Sequence, residues 1–169
     1  AYTLKALNEY FGLGISEKGL ENYASRLGSD CAFFIRNRPS FACGKGEILE
    51  DIDIQLDPYE IVIVKPDCNV STAEAYAGIV PAKAIFDLRG LDKLPVTEWK
   101  KWVINDFETA IFAKYPVIQR IKEELYGRGA LYASMTGSGT GVFGIFPKGD
   151  VTLDTLQGTV IWRTDRHIE

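Results

Sequence analysis

Four short apolar runs constrain this chain more than any other feature: EIVIVKP from Glu60, ALYASM from Ala130, VFGIF from Val142 and TVIWRT from Thr159. They are rich in β-branched and aromatic residues and bounded by Pro, Gly or polar residues, so each predicts a strand. The intervals between them carry helical spacing or loop residues. STAEAYAGI predicts a short helix with Ser71 or Thr72 at its start, and PAKAIFDLRGLDKLP, with prolines at both ends, predicts a loop. Thr97 is placed to cap the longest helix, with Trp99, Trp102, Val103, Phe107, Ala110 and Ile111 on its apolar face. Pro116 suits the first turn of a further helix carrying Ile118, Ile121 and Leu125, and Asp150 suits the cap of a short last one. From Glu60 onward the order is β-α-α-α-β-β-α-β. With the extra helices set aside, this is the split βαβ, ferredoxin-like order of an α+β fold.

The chain before Glu60 reads differently. Leu4, Leu7 and Phe11 mark a helix that Gly12 and Gly14 stop, and Ser16 caps a second helix with Leu20, Tyr23, Ala24 and Leu27 on one face and Gly28 past its end. A polar pair then leads into CAFFI, which predicts a strand, and PSFACGKGEILEDI predicts a hairpin turning at residues 44–46. A length of 169 residues allows one ordinary domain or two small ones. The boundary falls near Asp57 and Pro58, giving domains over residues 1–57 and 58–169.

Composition excludes some classes. The net charge is −4 with no long basic stretch, which argues against a nucleic-acid binder. The three cysteines, Cys31, Cys43 and Cys68, are odd in number and form no CxxC pair, so they read as reduced thiols of a cytoplasmic protein. The one histidine, His167, lies near the end of the sequence, which disfavours a histidine-based triad or metal site. No apolar run reaches the ~20 residues of a membrane span, and no signal peptide is recognisable. The sequence starts at Ala1 and opens directly into a helical pattern, as an excised or processed piece would.

Candidate chemistry rests on few residues. Asp30, at the junction after Gly28, suits either a base that takes a proton from a substrate hydroxyl or a simple turn cap. Lys65 at a strand end could meet a phosphate or only solvent. Arg36 and Arg38 read as the flank of a surface hairpin, Cys31 as core filling, and Asn105 with Asp106 as a solvated helix face. The segment MTGSGTG, residues 135–141, lies between two strand-like runs. It suits a hairpin turn in which glycines supply positive φ, and equally a nest of backbone N–H groups for an anion. It is not a Walker loop, since no lysine follows.

Five segments in fixed order break this tie: LGSDCAFFI, RPSFACGKGEIL, KPDCNVSTAEAY, INDFE and MTGSGTGVFGIF. Together they resemble the 4-diphosphocytidyl-2-C-methyl-D-erythritol kinases, a family of the GHMP kinase superfamily, over essentially the whole chain. The resemblance implies a GHMP kinase fold: the remainder of an N-terminal lobe followed by a ferredoxin-like C-terminal domain. It implies that Asp30 orients or deprotonates the substrate hydroxyl, that Thr72 lies on the substrate side, and that Gly137, Ser138 and Gly139 line the site beside the transferring phosphate. ATP and Mg²⁺ are implied, as is a small-molecule acceptor, the cytidine diphosphate-linked methylerythritol, with no protein metal site. Ala32 replaces a proline usual in the family without touching the acid. The family's catalytic lysine strand and its glycine- and serine-rich ATP loop have no match here, so the 169 residues alone are expected to be inactive. The resemblance leaves two alternatives, another GHMP-type small-molecule kinase and a non-catalytic fragment that keeps the fold.

Overall fold

The structure, a computed structural model, describes residues 1–80, 82, 84–149, 151–153 and 158–164. It divides into two compact units, Ala1–Ile54 with Leu88–Asp92, and Gln55–Asp87 with Lys93–Glu169.

In the first unit, helix α1 (Tyr2–Tyr10) precedes α2 (Glu17–Leu27), whose cap Ser16 accepts a hydrogen bond from the Gly19 amide. A third helix, α3, spans Cys31–Arg36. This corrects the expected strand at CAFFI. Ala32 and Ile35, three residues apart, are both 1% exposed and form one helical face, while Phe34 stands in solvent. Leu20, Ala24 and Ile35 make the small core. Strands β1 (Ser40–Cys43) and β2 (Ile48–Asp51) form the expected hairpin. The 3₁₀ turn Leu88–Lys93 contributes Arg89 to this unit, where it makes two hydrogen bonds to Glu50, at 2.7 and 3.0 Å, and lies over the Phe41 ring. Glu21 is buried, and burial alone would raise its pKa. The hydrogen bonds and charges of Arg36 and Lys18 outweigh that and hold the carboxyl below its ordinary value.

The second unit is a four-stranded antiparallel sheet in the order β4-β5-β3-β6, built from β3 (Tyr59–Lys65), β4 (Tyr132–Met135), β5 (Val142–Pro147) and β6 (Thr159–Arg163). All its pairings are antiparallel, and the first of its strands in sequence lies between the last two, which is the ferredoxin-like order expected. Helix α7 (Pro116–Gly127) covers one sheet face with Ile118, Ile121 and Leu125, all fully buried against Val62, Val64, Ala133 and Phe146. Each such side chain contributes roughly 1.5–3 kcal/mol of burial.

The helix expected from Thr97 is instead two helices, α5 (Val96–Trp102), with Pro95 at its cap, and α6 (Glu108–Lys114). The longest helix is α7. The break falls at residues 103–107, where Val103 is extended and the Asn105 side chain accepts from the Phe107 amide at 3.0 Å. Asn and Asp offer the backbone such local alternatives to a helix, which explains the interruption. Helix α4 (Thr72–Ala77) begins at cap Ser71, whose hydroxyl accepts from the Glu74 amide. Asp150, expected to cap a short helix, lies outside the described residues, as does His167.

Candidate functional site

The glycine loop connects two paired strands. Met135 pairs with Val142 at the end of β4 and β5, and the Thr136 amide donates to the Gly141 carbonyl at 2.8 Å. Gly137 and Gly139 adopt φ of 50° and 105°, left-handed values that favour glycine in the turn. Their surroundings differ. A Cβ on Gly139 would lie 3.2 Å from the Met135 sulfur and 3.9 Å from the Val70 Cβ, whereas one on Gly137 would meet nothing within 4 Å. The Gly139 amide is spent inside the turn on the Thr136 carbonyl, 2.9 Å away. Among the described residues, the amides of Gly137, Ser138 and Thr140 make no hydrogen bond. Unpaired backbone amides beside a residue without a side chain are groups that an anion can approach.

The base of the loop is held by two residues of the segment INDFE. Asn105 Nδ2 donates to the carbonyls of Met135, at 2.9 Å, and Gly137, at 2.8 Å. The buried Glu108 carboxylate accepts from the Met135 amide at 2.8 Å and the Ser134 hydroxyl at 3.1 Å through one oxygen, and from Lys122 Nζ at 2.5 Å through the other. Asn105 is therefore not the solvated helix residue expected from sequence. A helical pattern concealed it, although an Asn–Asp pair inside that pattern signals a break. A cavity of about 390 Å³ opens beside the loop, walled by Ile104, Asn105, Phe107, Tyr132, Met135 and Gly137. Tyr132 donates its hydroxyl to the Val103 carbonyl at 3.1 Å, and burial pushes its pKa up to about 12.

Thr72 is exposed in the first turn of α4, and its preceding residue but one, Val70, is the side chain nearest Gly139 after Met135. The segment leading to Thr72 and the glycine loop are thus adjacent in the second unit. Asp30 lies in the first unit, at the start of α3. Its side chain caps nothing and has no hydrogen-bond partner or ion-pair partner among the described residues. A Cβ on Gly46, in the β1–β2 turn, would sit 3.0 Å from Asp30 Oδ1, so the turn passes close to the carboxylate only because residue 46 has no side chain. Lys65 is exposed at the end of β3. Arg36 joins Glu21 and Asp51, and Arg38 joins Glu17, so both serve structural ion pairs. Among the described residues no group of three His, Cys, Asp or Glu side chains could hold a metal ion, and no helix is long and apolar enough to cross a membrane.

Residues 90–153 match the family described as GHMP kinases C terminal. The chain is 50% identical over 162 residues to a 4-diphosphocytidyl-2-C-methyl-D-erythritol kinase of Bacteroides thetaiotaomicron, covering 96% of this chain and 59% of that protein. To the enzyme of the same name from Bacteroides fragilis it is 46% identical over 166 residues, 98% of this chain and 61% of the relative. The chain therefore spans about three fifths of the length of these relatives. A crystal structure of 4-(cytidine 5'-diphospho)-2C-methyl-D-erythritol kinase superimposes with a TM-score of 0.67 at 23% identity, over 83% of this chain and 51% of that one. At that identity the match bears on the fold alone, which the two chains share.

Proposed function

We propose that this chain is part of a 4-diphosphocytidyl-2-C-methyl-D-erythritol kinase, which transfers the γ-phosphoryl group of ATP to a hydroxyl of the methylerythritol moiety in non-mevalonate isoprenoid synthesis. The observation that carries the reading is the glycine loop, with unpaired amides at Gly137, Ser138 and Thr140 and open space where a Gly137 side chain would be. Phosphoryl transfer depends mostly on positioning and charge stabilisation, and such a loop offers N–H groups to the transferring phosphate's oxygens at no reorganisation cost. The substrate oxygen forms the new P–O bond, the bond from the γ-phosphorus to the ADP oxygen breaks, and the hydroxyl proton passes to Asp30. An exposed carboxylate with no partner of its own suits that role better than a cap would. Thr72 presents an exposed hydroxyl to the acceptor. Mg²⁺ enters with the nucleotide, and none of these residues is assigned to it. The proposed domains are residues 1–57, the remainder of an N-terminal lobe, and residues 58–169, the C-terminal domain. The free thiols of Cys31, Cys43 and Cys68 suit a cytoplasmic enzyme.

Thermal-shift titration of the full-length protein tests this reading. A ligand at a hundred times its Kd stabilises by about 2.7 kcal/mol, so ATP–Mg²⁺ and the cytidyl substrate should each raise Tm. A response to ATP without one to the cytidyl substrate would point to another small-molecule kinase of the superfamily. A response to neither would leave a non-catalytic protein that keeps the fold.

A further inference from the structure

We propose that Asn105 is a positioning residue for phosphoryl transfer, aiming the Ser138 amide by gripping the carbonyl before it; the inference rests on the kinase reading above. Asn105 lies in the gap between α5 and α6, and its carboxamide is fully used. Both Nδ2 hydrogens go to backbone carbonyls, of Met135 and Gly137, and Oδ1 takes the Phe107 amide. One planar group therefore ties the end of a strand, the start of the loop and the N-terminus of α6 together.

The consequence follows from peptide geometry. In a planar trans peptide the C=O and the following N–H point in opposite directions. The Gly137–Ser138 peptide is trans. Holding the Gly137 carbonyl inward on Asn105 turns the Ser138 N–H outward, and that amide is one of those left without a partner. The same grip on the Met135 carbonyl turns the Thr136 N–H the other way, onto the Gly141 carbonyl, where it is found. The two orientations differ only in what receives the amide: the turn itself in one case, no group of the described residues in the other. Glu108 fixes the strand end from the other side, through the Met135 amide, so the Gly137 carbonyl is the part of this arrangement that depends on Asn105 alone.

In the full-length protein, Asn105→Asp keeps the shape and the acceptor for Phe107 but sets a carboxylate oxygen against two carbonyls. Asn105→Ser is the milder second variant. Both should lower kcat per folded molecule by about ten- to a hundredfold, the effect of a misplaced group at the reacting centre. KM for the acceptor should stay near wild type, and hydrogen exchange should quicken at the bonded loop amides of Thr136 and Gly139 but not in α7. A purely structural role would move Tm and the folded fraction and leave kcat per folded molecule alone, which would overturn the proposal. Failure of both variants to fold would overturn it as well. If the wild-type protein transfers no phosphate, the kinase reading fails, and unchanged exchange at the bonded Thr136 and Gly139 amides in the variants would then refute the grip separately.

Discussion

In the full-length protein, Asp30→Asn is expected to lower kcat by roughly 10²–10⁴, the usual range for loss of a general base, while the fold survives. The structure gives reasons for both halves. The fold survives because the carboxylate supports no hydrogen bond and no ion pair among the described residues, and α3 begins without it. Its amide replacement has the same shape and fits beside Gly46, whose missing side chain leaves room at 3.0 Å. Activity suffers because an amide cannot accept the hydroxyl proton. Steady-state kinetics beside a melting curve decide it. A loss in kcat below about tenfold, or about 1.4 kcal/mol, would make Asp30 an ordinary turn residue.

The glycine loop carries the second large effect, and its two left-handed glycines separate the turn from the phosphate cradle. Gly139→Val should lower activity at least about tenfold, but it should also lower Tm. A β-branched residue at φ 105° is strained, and its Cβ would press on the Met135 sulfur at 3.2 Å. Strain of this kind costs about 1–3 kcal/mol, so activity loss in that variant does not isolate the cradle. Gly137→Asn does. Asparagine tolerates the left-handed region, and Asn37 of this same chain sits at φ 50°, the value found at Gly137. The new Cβ would meet nothing within 4 Å, and the side chain would extend from it toward the space proposed for the phosphate. Activity should fall at least about tenfold with Tm nearly unchanged, a pattern that only a blocked ligand produces. Full activity in a folded Gly137→Asn protein would reduce the loop to a turn.

The legible parts of the fold were those where one physical signal dominates. Ile118, Ile121 and Leu125 repeat at helical spacing behind Pro116, and the helix lies where that pattern puts it. The four apolar runs became the four strands in the ferredoxin-like order, because β-branched runs between helices leave few other pairings. The failures came where two signals compete. In CAFFI the paired phenylalanines suggest a strand, but burial of Ala32 and Ile35 follows a helical period, and Phe33 and Phe34 are less buried than either. The apparent long helix after Thr97 kept its apolar spacing through Phe107 although Asn105 and Asp106 break it. That break hid the most informative feature of the loop. Periodicity assigns a side chain to a face, and it cannot show that an amide thirty residues before the loop grips the Met135 carbonyl. The resemblance to known kinases pointed to Asp30, Thr72 and the loop. It did not single out Asn105 or Glu108, whose partners are backbone groups distant in sequence.

The activity proposed for the full-length protein is transfer of a phosphoryl group from ATP to a hydroxyl of 4-diphosphocytidyl-2-C-methyl-D-erythritol. It is tested most directly by incubating the full-length protein with γ-labelled ATP, Mg²⁺ and that acceptor and locating the label by ³¹P NMR and mass spectrometry. One labelled phosphate monoester on the methylerythritol moiety is expected for each ADP formed, with the rate falling in the Asp30→Asn protein. Hydrolysis of ATP without label on the acceptor, or label on a different alcohol alone, would contradict it.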